Sequence, residues 1–112
     1  MDEEGGSSLG MRENTAGLLA YLFGWVSGLV VYLLEKKSAF VRFHALQSII
    51  VFGALSVVSI ILRWIPVIGG VLGAILGIAG LAAWIVGMIK AYQGEMFKFP
   101  VVGDIAENQL RR

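Results

Sequence analysis

Residues 16–34, 45–62 and 67–89 carry no charged side chain, and together they take up about half of this chain. Each run is about 18 residues or longer, the length an α-helix needs to cross the roughly 30 Å hydrocarbon core of a bilayer. Lipid offers no hydrogen-bond partner, so backbone at that depth must pair internally, and a helix does so within one segment. The pattern predicts an all-α fold: a polytopic membrane helical bundle of three transmembrane helices with a short interfacial C-terminal segment. A soluble helical protein would need a polar face on every helix. The first and third runs have none.

Composition agrees with that reading. Apolar residues make up 57% of the 112 residues and charged residues 15%, against roughly 45–50% and 25% in soluble domains. The expected organisation is a disordered tail over 1–13, a transmembrane domain over 14–94 and an interfacial or cytoplasmic segment over 95–112. The absence of cysteine excludes disulfides and thiolate metal sites. The acidic start, Met1-Asp2-Glu3-Glu4, lacks the basic region of a cleaved signal and the arginine-rich character of a transit peptide. The first span is therefore expected to act as its own insertion signal. With three spans, Arg12 and Arg63 share one side, while Lys36, Lys37, Arg42, Lys90, Lys98, Arg111 and Arg112 share the other. The positive-inside rule then predicts a multi-pass cell-membrane protein with its N-terminus outside and its C-terminus cytoplasmic.

Local signals refine the picture. Asn14 and Ser38 are candidate N-caps of the first two helices, and Pro66 suits the first position of the third. Gly94 reads as a C-cap or turn, and Asp104 with Glu107 fits a capping pattern for a last short helix. Gly69, Gly70, Gly73, Gly77, Gly80 and Gly87 fall within about 100° of arc on the third helix, and Gly17, Gly24 and Gly28 within about 40° on the first. Such stripes let backbones approach closely where lipid supplies no hydrophobic force. They are expected to face each other; a homo-oligomer or another membrane protein would use the same residues.

The densest polar constellation is Phe40-Val41-Arg42-Phe43-His44-Ala45-Leu46-Gln47-Ser48. On a helix His44, Gln47 and Ser48 share a face, and Arg42 points nearly the opposite way. One reading is a polar site for a headgroup, a proton or a peptide. The other has Arg42 snorkelling to lipid phosphate while His44 and Gln47 tie their helix to its neighbours. A metal site is not expected, since His44 is the only histidine and no acid repeats beside it at helical spacing. No serine stands in a G-x-S-x-G context, and the glycines spell neither a dinucleotide fingerprint nor a P-loop. Enzymatic activity, a cofactor and nucleic acid are therefore not expected. Trp25 and Trp84 are read as filling space left by glycines, with a ligand cavity as the alternative.

Three stretches together carry a resemblance: Leu19-Ala20-Tyr21-Leu22-Phe23-Gly24-Trp25-Val26, then Phe40 to Ser48, then Ile89 to Glu95 with Phe99 to Glu107. They resemble a family of uncharacterised small membrane proteins of archaea and bacteria. That family is similar to the small polytopic subunit of the chloroplast inner-envelope import translocon (Tic). The resemblance implies family membership and membrane topology; the prokaryotic members have no settled activity, while the chloroplast relative is regarded as part of a protein-conducting machine. The chain differs from the chloroplast relative in having three expected spans rather than four and no transit peptide. The expected function is a non-enzymatic membrane protein working in the lipid bilayer through helix–helix or protein–protein contacts. The alternatives are a subunit of an oligomeric translocation or channel-like assembly, and a lipid-handling protein using Arg42 and His44.

Overall fold

The computed structural model describes residues 7–110, and within them five helices: α1 Glu13–Leu22, α2 Trp25–Leu34, α3 Ala39–Leu62, α4 Ile68–Tyr92 and α5 Val102–Leu110. No strand occurs among the described residues. Two helices, α3 and α4, are long and apolar enough to cross a membrane. At 24 and 25 residues each reaches roughly 36 Å. Most of their apolar side chains face outward; Val57, Ile60, Val71, Ile75, Ile78 and Leu81 are all exposed. A soluble protein does not leave so continuous an apolar surface open, so lipid is the solvent that explains it.

The first apolar run is not one span. It breaks at Gly24, whose φ of 65° lies in the left-handed region that glycine enters without steric cost. The two 10-residue pieces reach only about 15 Å each. Their outer ends come together: Ser7 Oγ and Ser8 N both bond the Glu35 carboxylate, at 3.0 and 2.9 Å. Helices α1 and α2 therefore form a hairpin that enters from one end of the bundle and returns to it. Non-helical backbone at membrane depth needs its polar groups met from nearby. Here Ser27 Oγ accepts from Phe23 N at 2.9 Å and lies 3.2 Å from both Ala20 O and Gly24 O, to one of which its proton goes. Ser48 Oγ donates to Gly24 O at 3.0 Å, and the Trp84 indole N–H donates to Leu22 O at 3.2 Å.

That hairpin changes the side on which the N-terminal residues lie. The expectation put them opposite the first connection, but Ser7 and Ser8 sit directly against it. Asn14 does not cap α1; its Nδ2 donates to Tyr92 O at 2.6 Å, joining the start of α1 to the end of α4. The residues of the expected disordered tail that fall at 1–6 lie outside the described residues, as do Arg111 and Arg112. Among the described residues, Arg12, Lys36, Lys37, Arg42, Lys90 and Lys98 gather at one end of the bundle, and Arg63 lies at the other.

Glycine packing also differs from the expected stripe-on-stripe contact. Gly28 lies against Ala45 O and Ser48 of α3, Gly24 against Phe52, and Gly17 against Ala91 and Phe40. Gly87 takes the ring of Tyr21, Gly80 meets Leu55, and Gly69 packs on Leu62. A Cβ on Gly70, Gly73 or Gly77 would meet nothing within 4 Å. The hairpin is too short to reach that part of α4, so this face is open.

Ser38 caps α3 as expected, its Oγ accepting from Val41 N at 3.1 Å. Gly94 closes α4 at a φ of 80°, with Glu95 N on Lys90 O and Gly94 N on Ala91 O, both 3.0 Å. This pair of bonds is the Schellman arrangement. Pro66 does not begin α4, because Val67 at φ 62° and ψ −66° turns the chain first and Ile68 N bonds Pro66 O at 2.6 Å. The last helix starts at Val102, two residues before Asp104, so that residue is no cap. Asp104 and Glu107 share Lys98 instead, at 3.4 and 2.7 Å.

Candidate functional site

The largest fully buried polar side chains, Tyr21, His44, Gln47, Glu35 and Ser48, gather at the basic end. Three of the four residues singled out in the sequence, His44, Gln47 and Ser48, meet on one face of α3, pointing into the bundle. The break at Gly24 brings Tyr21 over them from α1. The turn at Gly94 sends residues 95–99 back across the mouth of α3, presenting peptide groups to the same face.

One directed chain of hydrogen bonds follows. Gln47 Nε2 donates to Tyr21 Oη at 2.9 Å and to Phe97 O at 3.0 Å, using both amide protons. Gln47 Oε1 accepts from Phe99 N at 2.9 Å. His44 Nε2 lies 2.7 Å from Glu95 O, which can only accept, so Nε2 carries the proton. With Nε2 protonated, a neutral ring leaves Nδ1 as an acceptor, and Tyr21 Oη, 2.7 Å away, donates to it. Tyr21, Phe40 and Phe43 pack edge-on around the imidazole. No polar atom of Gln47 or of the imidazole is left over for a substrate.

Arg42 lies outside this cluster, as its helical position implies. Its Nη1 donates to Glu35 O at 2.7 Å and approaches Tyr32 O at 3.4 Å, and the guanidinium stacks 4.3 Å over the Tyr32 ring. Carbonyls at a helix C-terminus lack intrahelical donors, and a cation there also meets the negative end of the helix dipole. Arg42 thus caps α2 from α3.

Glu35 knots the same corner. Its carboxylate accepts from Ser7 Oγ and from the backbone N–H groups of Ser8, Lys37 and Ser38, each at 2.9 or 3.0 Å. Burial alone would raise its pKa, but the bonds from Ser38, Ser8, Lys37 and Ser7 outweigh burial and hold it below the ordinary value of 4.5. A carboxyl with a depressed native pKa adds stability above its unfolded pKa and loses it as pH falls through the native one. The thermal midpoint of Glu35→Gln is therefore expected below wild type at pH 7, with the gap shrinking as pH drops below about 4.5. Parallel melting curves at both pH values would show that Glu35 is not ionised in the knot.

Of the glycines named from sequence, Gly24, Gly28, Gly69 and Gly80 make close contacts, while Gly73 and Gly77 face open space. Trp84 bonds the end of α1, and Trp25 lines a cleft. The sequence reading missed Ser27 and the joining role of Tyr21. No sequence signal separates the break at Gly24 from the same Gly-x-x-Ser spacing at Gly53 and Ser56, which stays within α3. Among the described residues no group of three His, Cys, Asp or Glu side chains could hold a metal ion.

Comparison with known proteins shows the family. A UPF0132 membrane protein of Methanocaldococcus jannaschii is 56% identical over 103 residues, which cover 92% of this chain and 93% of that protein. A second UPF0132 membrane protein of the same organism is 52% identical over 104 residues, covering 93% and 74%. One from Archaeoglobus fulgidus is 50% identical over 100 residues, covering 89% and 97%. No solved structure matches. Residues 9–106 match the family described as magnetosome magnetite crystal formation protein. On these matches the chain belongs to that family, as a small membrane protein alongside the UPF0132 proteins of archaea.

Proposed function

We propose that this protein is a non-enzymatic scaffold of the cell membrane, acting through contacts with other membrane components. In this reading α3 and α4 cross the bilayer, the α1–α2 hairpin enters from the cytoplasmic face, and the basic end with both termini is cytoplasmic. The observation that carries it is the closed network of Tyr21, His44 and Gln47. A binding or catalytic site keeps polar groups free for its ligand, whereas here they hold the C-terminal segment against the bundle. The Arg42–His44 lipid site gains no support, because the two groups point apart and Arg42 is engaged by α2. The mineral role in the family's description is not carried over, since among the described residues no group of three His, Cys, Asp or Glu side chains could hold a metal ion.

The reading is tested by His44→Ala in a strain lacking the native gene. The variant leaves Tyr21 Oη and Glu95 O without their partner, which costs about 1–3 kcal/mol. Any loss of function should then follow the loss of protein, and native-membrane crosslinking should recover the same partners from whatever protein remains. A variant that is abundant and inserted but inactive would overturn the scaffold reading. A second reading, a subunit of an oligomeric translocation or channel-like assembly, draws on the open face at Gly70, Gly73 and Gly77. Crosslinks between copies along that face would favour it.

A further inference from the structure

Because the hairpin stops at mid-depth, the other half of the bundle contains only α3 and α4, with a cleft between them. Its volume is about 560 Å³; Phe23, Gly24 and Trp25 form its inner end, Leu55, Leu76 and Gly77 its walls, and Arg63 its outer end. A second cleft of about 360 Å³ adjoins it, walled by Gly69, Gly70 and Gly73 and sharing Ser59 and Arg63 with the first. From Phe52 beside Gly24 to Arg63 is eleven residues of helix, roughly 16 Å, the depth of one leaflet.

Arg63 is the one charged residue between Arg42 and Lys90. Its guanidinium makes no hydrogen bond, ion pair or ring contact among the described residues. Among the described residues no carboxylate lies in that half of the molecule to balance it, since Glu13, Glu35, Glu95, Asp104 and Glu107 are all at the other end. A guanidinium fork matches phosphate oxygens in paired hydrogen bonds. We propose that these two clefts hold a lipid with an anionic phosphate headgroup, its phosphate on Arg63 and a hydrocarbon chain in the deeper cleft. The shallower cleft beside Gly69 and Gly70 takes the start of the second chain. The glycines of α4 then serve to make room for a chain rather than for another helix. This site lies at the opposite end of the molecule from the Arg42 and His44 cluster.

Native mass spectrometry of the detergent-solubilised full chain, titrated with phosphatidylglycerol or phosphatidylcholine, tests the proposal. Wild type should retain one phosphatidylglycerol, at least tenfold more strongly than phosphatidylcholine. Arg63→Gln should lose that preference, and Gly77→Leu, which fills the chain seat, should lose retention of both lipids. Neither change meets a packed neighbour, and circular dichroism should confirm unchanged helicity. Lys36→Gln, at the basic end, should retain lipid as wild type does. Equal retention of the two lipids by wild type, or unchanged retention in Arg63→Gln or Gly77→Leu, would overturn the proposal. So would a lipid-free dimer that Gly77→Leu dissociates, which would place a second copy in the cleft.

Discussion

Gly28→Leu is expected to lower stability by about 3 kcal/mol, at the upper end of the range for overpacking, while Gly73→Leu changes it little. A Cβ at Gly28 would stand 2.9 Å from Ala45 O and 3.1 Å from Ser48 Cβ. Backbone cannot yield there without moving α2 off α3, so the whole side chain must be accommodated by separation of the two helices. That separation would also pull Glu35 O from Arg42 and loosen the Glu35 knot. At Gly73 the added side chain enters open space. Thermal unfolding in one detergent measures both. Equal losses at the two positions would mean that the open face of α4 is packed and that the hairpin sits elsewhere.

Gln47→Ala is the second large effect. This one side chain makes three hydrogen bonds, two of them to the backbone of the returning segment. Each bond contributes about 1 kcal/mol net, and stranding the buried partners costs more. A loss of about 3 kcal/mol is expected. The local signature matters more than the total: amide exchange at Phe99 and along α5 should accelerate, while the middle of α3 stays protected. Gln47→Glu should not rescue, because a carboxylate cannot donate to Phe97 O or Tyr21 Oη. If residues 95–110 stay protected in Gln47→Ala, the segment is held by something other than this side chain.

The membrane solvent, the helical class and the two long helices were legible from residues 45–62 and 67–89, because a charge-free run of that length has few other outcomes. The caps at Ser38 and Gly94 were legible for a similar reason: each solves a purely local problem. The polar face of His44, Gln47 and Ser48 was legible as a face, since helical spacing alone aligns it. Its partners were not. Tyr21 comes from 23 residues away and Glu95 from 51, and both arrive through turns whose direction no periodicity encodes. The fold of the first apolar run differs from the expected span for a physical reason. Nineteen apolar residues satisfy the length for a span whether or not they are continuous helix, and hydropathy is blind to a glycine at positive φ. Ser27 and Ser48 supply the missing hydrogen bonds at the break; Ser27 stands in the sequence as an isolated hydroxyl, and nothing in the polar face of Ser48 points to Gly24. Once the run folds back, the basic residues regroup, and the glycine stripe of α4 loses its expected partner.

Whether the first apolar run turns back at Gly24 is tested most directly by cysteine accessibility in intact cells, using a reagent that does not cross the membrane. The native chain has no cysteine, so Arg12→Cys, Gln109→Cys and Trp64→Cys each report one exposed site. The account predicts that Arg12→Cys and Gln109→Cys are shielded until the membrane is opened, while Trp64→Cys is labelled from outside. Labelling of Arg12→Cys from outside with Gln109→Cys shielded would make the first run a complete span and contradict the account.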